Sequence, residues 1–201
     1  MVSKKINMKI QPLIIDNWYT EEEKQKIMQE LDFYTSEEKI EKAEGINVAH
    51  VNGEDLSNAF RLYPSQYYSP QGTRLSSILK SVDKFRNPDF HQELKNTSPI
   101  FRAFGQTTRD TTLISYYEES QYYKPHFDES KFTCLVWIFK EPKKFTGGDL
   151  ILEDLDLKIK CMNNRLVVIP GFLLHEVTTI KMKKPYKFGD GRYTITHFFN
   201  N

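Results

Sequence analysis

The chain has 201 residues, 39% of them hydrophobic and 27% charged, a globular composition and enough chain for one domain with its own core. Its 28 Lys and Arg nearly cancel 27 Asp and Glu, and a net charge of +1 excludes a whole-protein attraction to nucleic acid or to an anionic membrane. Two cysteines, Cys134 and Cys161, exclude a CxxC site and suggest no disulfide framework; no apolar run approaches a membrane span, and the opening MVSKKINMKI lacks the apolar stretch of a signal peptide, so a soluble cytoplasmic protein is expected.

Residues 10–15 (IQPLII) read as a short apolar strand. Thr20 followed by Glu21, Glu22 and Glu23 is a helix N-cap with acids in the first turn, where they complement the dipole. Ile27, Met28 and Leu31 then fall at helical spacing, which predicts a helix over 21–34. From 44 to 74, Gly and Pro punctuate a Tyr-containing stretch that reads as loop or short-strand material, and a long irregular segment is usually functional or mobile. A second helix is expected from Leu75 to about Phe85, with an extension towards 95.

Beyond residue 100 the period shifts towards two. TTLISYY (111–117), FTCLVWIF (132–139), DLILED (149–154), LDLKIK (155–160), RLVVIP (165–170), HEVTTI (175–180) and RYTITHFF (192–199) are rich in β-branched and aromatic residues and separated by turns. Short, closely spaced strands imply a sandwich or barrel, and no βαβ alternation is present to build a parallel sheet. The expectation is an α+β protein: a single domain over 1–201, with 1–100 as helical and loop support packed on the major sheet of a jelly-roll formed by 101–201.

The informative text is Tyr123-Lys124-Pro125-His126-Phe127-Asp128. In extended chain, residues two apart share a face, so His126 and Asp128 can present an imidazole and a carboxylate to one point while Phe127 faces away. His175, which follows RLVVIP and the turn Pro170-Gly171, is the obvious source of a second imidazole. Two histidines and a carboxylate that leave other metal positions open form the facial triad of Fe(II) oxygenases. An HxD by itself arises by chance in many proteins; its context lifts it, with His175 downstream, a Gly147-Gly148 turn between, and Arg192 beyond. His50 and His91 read as surface or packing residues, and His197 as a core histidine or one that supports the site.

Arg192 has a role in the same chemistry. A five-carbon dicarboxylate that chelates the metal through its 2-oxo acid end needs a cation at its far end, and a planar guanidinium binds a carboxylate through two parallel bonds. Thr194, on the same face of the strand, could donate a third. Read alone, Arg192 is a solvated residue at a strand start after Gly189-Asp190-Gly191.

Residues 113–199 resemble the prolyl-hydroxylase-type branch of Fe(II)/2-oxoglutarate dioxygenases. The matching pieces stand in order: Tyr116, Tyr123 to Asp128, CLVWIF, Gly147-Gly148-Asp149-Leu150, RLVVIP, Leu174-His175-Glu176-Val177, and Arg192 to Thr196. The resemblance implies a double-stranded β-helix, iron held by His126, Asp128 and His175, and Arg192 gripping 2-oxoglutarate. It also implies that Tyr116 and Trp137 line the co-substrate pocket. Trp137 stands where a tyrosine is common, and Arg192 where collagen-type members often have lysine.

The expected cofactors are Fe(II), 2-oxoglutarate and O₂, with ascorbate as an accessory reductant. The expected reaction hydroxylates a C–H bond and releases succinate and CO₂. A carboxylate ligand at 128 favours hydroxylation over halogenation, since no metal position is vacated for halide. A prolyl residue in a protein or peptide is the first choice of substrate; a free amino acid or other small metabolite is the alternative, and nucleic-acid and membrane partners are not expected. A binding module without catalysis, or a cupin-like metalloenzyme of another reaction type, stands as a different class. RLYPSQYYSPQG (61–72) reads as a binding loop or lid, or as an ordinary surface loop. Lys181, Lys183, Lys184 and Lys187 are expected to form a solvated hairpin, with contact to an acidic partner as the other reading.

Overall fold

The structure is a computed structural model that describes residues 10–36, 38–43, 50–51, 53–69, 72 and 75–201. In chain order the first half contains β1 (Leu13–Asp16), α1 (Glu21–Ser36), β2 (Glu41–Lys42), β3 (His50–Val51), β4 (Glu54–Asp55), β5 (Phe60–Leu62), α2 (Ser77–Lys80) and α3 (Pro88–Thr97). The second half contains β6 (Arg109–Tyr117), β7 (Tyr123–His126), β8 (Phe132–Ile138), β9 (Phe145–Thr146), β10 (Leu150–Leu152), β11 (Leu157–Ile159), β12 (Arg165–Pro170), β13 (His175–Val177), β14 (Lys181–Met182) and β15 (Arg192–Asn200). The major sheet runs β1-β12-β8-β15-β6-β5-β2 and the minor sheet β11-β10-β13-β7. Every pairing within them is antiparallel. This is the expected jelly-roll.

Helix α1 begins on a reciprocal capping box: Glu23 N–H donates to Thr20 Oγ1 at 3.2 Å, and Thr20 N–H donates to Glu23 Oε2 at 2.8 Å. Its buried stripe, Ile27, Leu31 and Tyr34, faces the outer side of the major sheet. There it joins Phe85, Phe90 and Phe104 in one core with Ile114, Val136, Ile195 and Phe199. A second core lies between the sheets, where Leu135, Val167 and Ile169 meet Leu150, Leu152 and Ile159. Each fully buried aliphatic or aromatic side chain contributes roughly 1.5–3 kcal/mol to such cores. The major sheet is therefore covered on both faces.

Three expectations change in detail. The helix expected from Leu75 to about Phe85 is a short α2 continued by a 3-10 turn over Ser81–Arg86, and the region towards 95 is a separate helix, α3. The break falls at Asn87, which is held extended before Pro88 and caps α3 through Asp89 N–H at 2.8 Å. The first half also supplies strands as well as support: β1 forms one edge of the major sheet, and β5 with β2 extends the other. Finally, the lysine-rich segment does not fold on itself. Lys181–Met182 pairs with Phe145–Thr146, and Lys183 N–H donates to the Lys144 carbonyl at 2.7 Å, so the partners of Lys181 to Lys183 lie outside the segment. Its four lysines are exposed, as expected. Part of the 44–74 stretch (44–49, 52, 70, 71, 73 and 74) lies outside the described residues. No helix among the described residues is long and apolar enough to cross a membrane.

Candidate active site

The minor sheet brings the two histidines together. His126 ends β7, His175 opens β13, and the two are direct cross-strand partners, with ring centroids 4.2 Å apart. Asp128 lies just past β7, where its N–H donates to the Gly171 carbonyl at 2.9 Å. Gly171 in turn donates to the Lys131 carbonyl at 3.0 Å. A β-carbon at Gly171 would overlap the Ser130 carbonyl oxygen, so only glycine lets the turn after β12 come this close to the Asp128 loop. That approach ties Asp128 to the entry of β13.

The histidine tautomers follow from the backbone. Nδ1 of His126 lies 2.9 Å from the Lys124 carbonyl, and Nδ1 of His175 lies 2.8 Å from the Leu173 carbonyl. A carbonyl only accepts, so each Nδ1 carries a proton, and Nε2 is the ring nitrogen that each histidine turns to the site. Both Nε2 atoms point at Asp128, at 3.7 Å from Oδ1 and 3.5 Å from Oδ2. Burial, with the neighbouring His175, pulls the His126 pKa down to about 3, which keeps that imidazole neutral. Among the described residues, these three form the group of ligand-type side chains close enough to share one metal ion, with ligand atoms all within 4.8 Å of one another.

The surroundings hold these groups still. Thr133 Oγ1 donates to Asp128 Oδ2 at 2.6 Å and lies 2.9 Å from Ser130 Oγ. The Tyr123 ring stacks on His126, with centroids 3.5 Å apart and planes at 13°. Arg61 lies over the other side of this pair, its Cζ 5.0 Å from the Tyr123 centroid.

A cavity of about 500 Å³ opens from the triad into the space between the sheets. Arg192 and Thr194, on β15, both line it, together with Trp137 on β8. Arg192 is buried, and its Nη1 donates to the Gly148 carbonyl. Gly148 holds φ at +73°, and a β-carbon there would crowd the Arg192 Cδ. The Gly147-Gly148 turn therefore gives this guanidinium its room. Arg192 Nε and Thr194 Oγ1 are buried without a hydrogen-bond partner, and among the described residues no carboxylate pairs with Arg192. A buried cation left unpaired is costly, so this end of the cavity is built for an anion with acceptor oxygens.

Tyr116 is not in the cavity. It packs on the helix side of β6, and its hydroxyl accepts from the Gly189 and Gly191 N–H groups at 2.8 and 3.1 Å. Tyr117 takes the lining position instead, because it is the cross-strand partner of Arg192 and cross-strand partners share a face. Phe127, expected to face away from the triad, lines the same cavity as His126 and Asp128 and is 61% exposed. His197 is a satisfied core histidine between Thr112 Oγ1 and Ser81 Oγ, at 3.0 and 3.4 Å, packed on Phe85. His91 bonds the Phe85 carbonyl at 2.9 Å, and His50 sits by Asp55 at 2.8 Å, both away from the cavity.

Sequence reasoning missed Thr133 and Tyr117, and placed Arg61 and Tyr63 only within the loop 61–72, as a binding loop or lid or an ordinary surface loop, with no role of their own. Thr133 had a signal, since it alternates with Trp137 along β8; Arg61 had none, since nothing in its own text predicts which sheet its strand joins.

Residues 112–200 match the model of the 2OG-Fe(II) oxygenase superfamily. No curated protein matches the chain in sequence. Among solved structures, the chain resembles a prolyl hydroxylase from Trichoplax adhaerens in complex with a hypoxia inducible factor oxygen degradation domain peptide fragment, at 15% identity and TM-score 0.61, covering 94% of this chain and 83% of that one. It resembles a Pseudomonas putida prolyl-4-hydroxylase at 12% identity and TM-score 0.60, covering 94% and 92%. A viral collagen prolyl hydroxylase from Paramecium Bursaria Chlorella virus-1, as its 2OG complex, matches at 13% identity and TM-score 0.53, with 94% of each chain covered. At these identities, what is shared is the fold.

Proposed function

We propose that this chain, whose residues 112–200 form a 2OG-Fe(II) oxygenase domain, hydroxylates a prolyl residue of a protein or peptide, with iron held by His126, Asp128 and His175. One observation carries the reading: the buried Arg192 Nε and Thr194 Oγ1, without partners, stand in the same cavity as His126, His175 and Asp128. Formal charge supports it. A divalent cation, one carboxylate, a dianionic oxo acid and one guanidinium sum to zero, which suits a site closed between two sheets.

Each side chain then has a distinct task. His126 and His175 offer Nε2 lone pairs, and Asp128 supplies the one negative ligand, oriented by the Thr133 hydroxyl. Arg192 receives the far carboxylate of 2-oxoglutarate on its Nε edge, with Thr194 donating beside it, while Nη1 stays anchored on Gly148. Trp137 and Leu150 wall the cavity with apolar surface, which limits water. Bound iron would supply the oxidation chemistry with O₂ and 2-oxoglutarate; the protein supplies orientation and exclusion. The cavity mouth, at Phe127, Arg61 and Tyr63, is where the substrate residue enters.

Support for a prolyl substrate is the fold shared with prolyl hydroxylases over nearly the whole chain. The test is succinate formation from 2-oxoglutarate by purified protein with Fe(II), followed by mass spectrometry for a +16 Da product on proline-containing peptides. Succinate that depends on iron and is lost in Asp128→Ala is expected. Turnover undiminished in Asp128→Ala would remove Asp128 from the metal site, and oxidation confined to free amino acids would replace the peptide substrate.

A further inference from the structure

The wall of the catalytic cavity continues past its mouth. Phe60 packs against Tyr116 and Leu62 lies in the core beneath the helices, so the alternation of β5 turns Arg61, and Tyr63 beyond it, towards the cavity. The same two residues also line a second hollow of about 340 Å³, walled further by Lys39, Glu41, Lys42 and Tyr67. The two hollows share Arg61 and Tyr63 as a wall, so the outer one lies beside the mouth of the metal cavity, at the edge of the major sheet near β2.

This outer hollow is cationic. Among the described residues, Lys39, Lys42 and Arg61 line it together with one carboxylate, Glu41, which stands opposite Arg61 in the β2–β5 register. Lys39 is held in position: its Nζ sits 5.4 Å from the Phe33 centroid and 5.6 Å from that of Tyr67. Among the described residues, neither Lys39 nor Lys42 has a carboxylate within ion-pair distance, whereas Lys84, Lys124 and Lys140 each do. An excess of positive charge in a hollow selects ligands of the opposite sign.

We infer that the substrate is an acidic peptide: the target residue enters the metal cavity, and a flanking Asp or Glu runs over Arg61 and Tyr63 into the hollow at Lys39 and Lys42. The inference rests on the peptide-hydroxylase reading above, and it adds the charge of the flank and the place that reads it. Extended peptide suits two neighbouring hollows, since its alternate side chains can reach separate pockets along one line.

The test uses full-length protein loaded with Mn(II) and 2-oxoglutarate, and two pools of fluorescent peptides with a central proline. One pool carries Glu at the flanking positions and the other carries Lys. Wild type is expected to bind the Glu pool roughly tenfold more tightly, with the difference shrinking at high salt. In the double variant Lys39→Glu/Lys42→Glu the preference should vanish or reverse. Succinate formation without peptide should stay unchanged, because neither lysine lies in the metal or co-substrate site. Equal binding of the pools, binding of neither, or a preference that survives the double variant would overturn the inference. Absence of succinate formation in wild type would instead overturn the oxygenase reading beneath it.

Discussion

The guanidinium of Arg192 lies over the Tyr117 ring, 4.3 Å from its centroid, and the two residues face each other directly across β15 and β6. The ring holds the guanidinium plane from one side while Gly148 anchors its tip. That leaves the Nε edge as the part of Arg192 able to meet an anion.

Tyr117 and Tyr116 should therefore separate cleanly. A cation–π contact is worth roughly 0.5–2 kcal/mol, so Tyr117→Ala should weaken 2-oxoglutarate binding by about 2- to 30-fold with metal binding kept. Tyr116→Phe should leave that affinity unchanged. It removes the acceptor for the Gly189 and Gly191 N–H groups, and should lower stability by about 1–3 kcal/mol. Ligand titration and urea denaturation of both variants measure the two effects, and a co-substrate defect in Tyr116→Phe would return that residue to the site.

Thr133 holds one oxygen of Asp128 at 2.6 Å. Removing such an orienting bond typically costs about 10- to 100-fold in metal affinity, and this is expected for Thr133→Val. Ser130→Ala should cost less, because Ser130 reaches the carboxylate only through Thr133. Mn(II) titration decides; unchanged affinity in Thr133→Val would mean that Asp128 is oriented by other groups.

His197 predicts a pH dependence without entering the chemistry. Complete burial pulls its pKa from 6.5 down to about 3, while in the unfolded chain it protonates near its ordinary value. Its contribution to stability is full above pH 6.5 and is lost as pH falls towards 3. Over that window one proton separates the two states, a slope of up to about 1.4 kcal/mol per pH unit. His197→Gln can keep the bonds to Thr112 and Ser81 but cannot titrate, so metal-free protein with this change should lose stability less steeply on acidification. Parallel pH profiles for wild type and variant would contradict the assignment.

The triad was legible because its signal is local: His126 and Asp128 sit two apart in extended chain, and His175 opens a strand after a turn. Arg192 and Thr194 were legible for the same reason, as alternate residues of one strand. Tyr117 was not. The major sheet is buried on both faces, so β6 reads as buried from Leu113 through Tyr117, and its text does not say which tyrosine faces inwards. Only the register with β15 does. That Arg61 belongs to a strand of the major sheet, and not only to a loop, was hidden because β5 is three residues long and pairs with β6 across a wide sequence gap. The helical text towards 95 belongs to a separate helix, α3, because Asn87 stands extended just before Pro88.

The central claim is that one cavity holds both a metal, at His126, Asp128 and His175, and 2-oxoglutarate, at Arg192. Titration of 2-oxoglutarate into Mn(II)-loaded wild type, Arg192→Lys and Arg192→Ala tests it most directly. Lysine keeps the charge but loses the planar fork, and a charge-assisted hydrogen bond is worth roughly 1.5–3 kcal/mol. Affinity should fall about 10- to 100-fold in Arg192→Lys and further in Arg192→Ala, with Mn(II) binding nearly unchanged. Equal affinities in wild type and Arg192→Ala would contradict the account, even with metal bound at the triad.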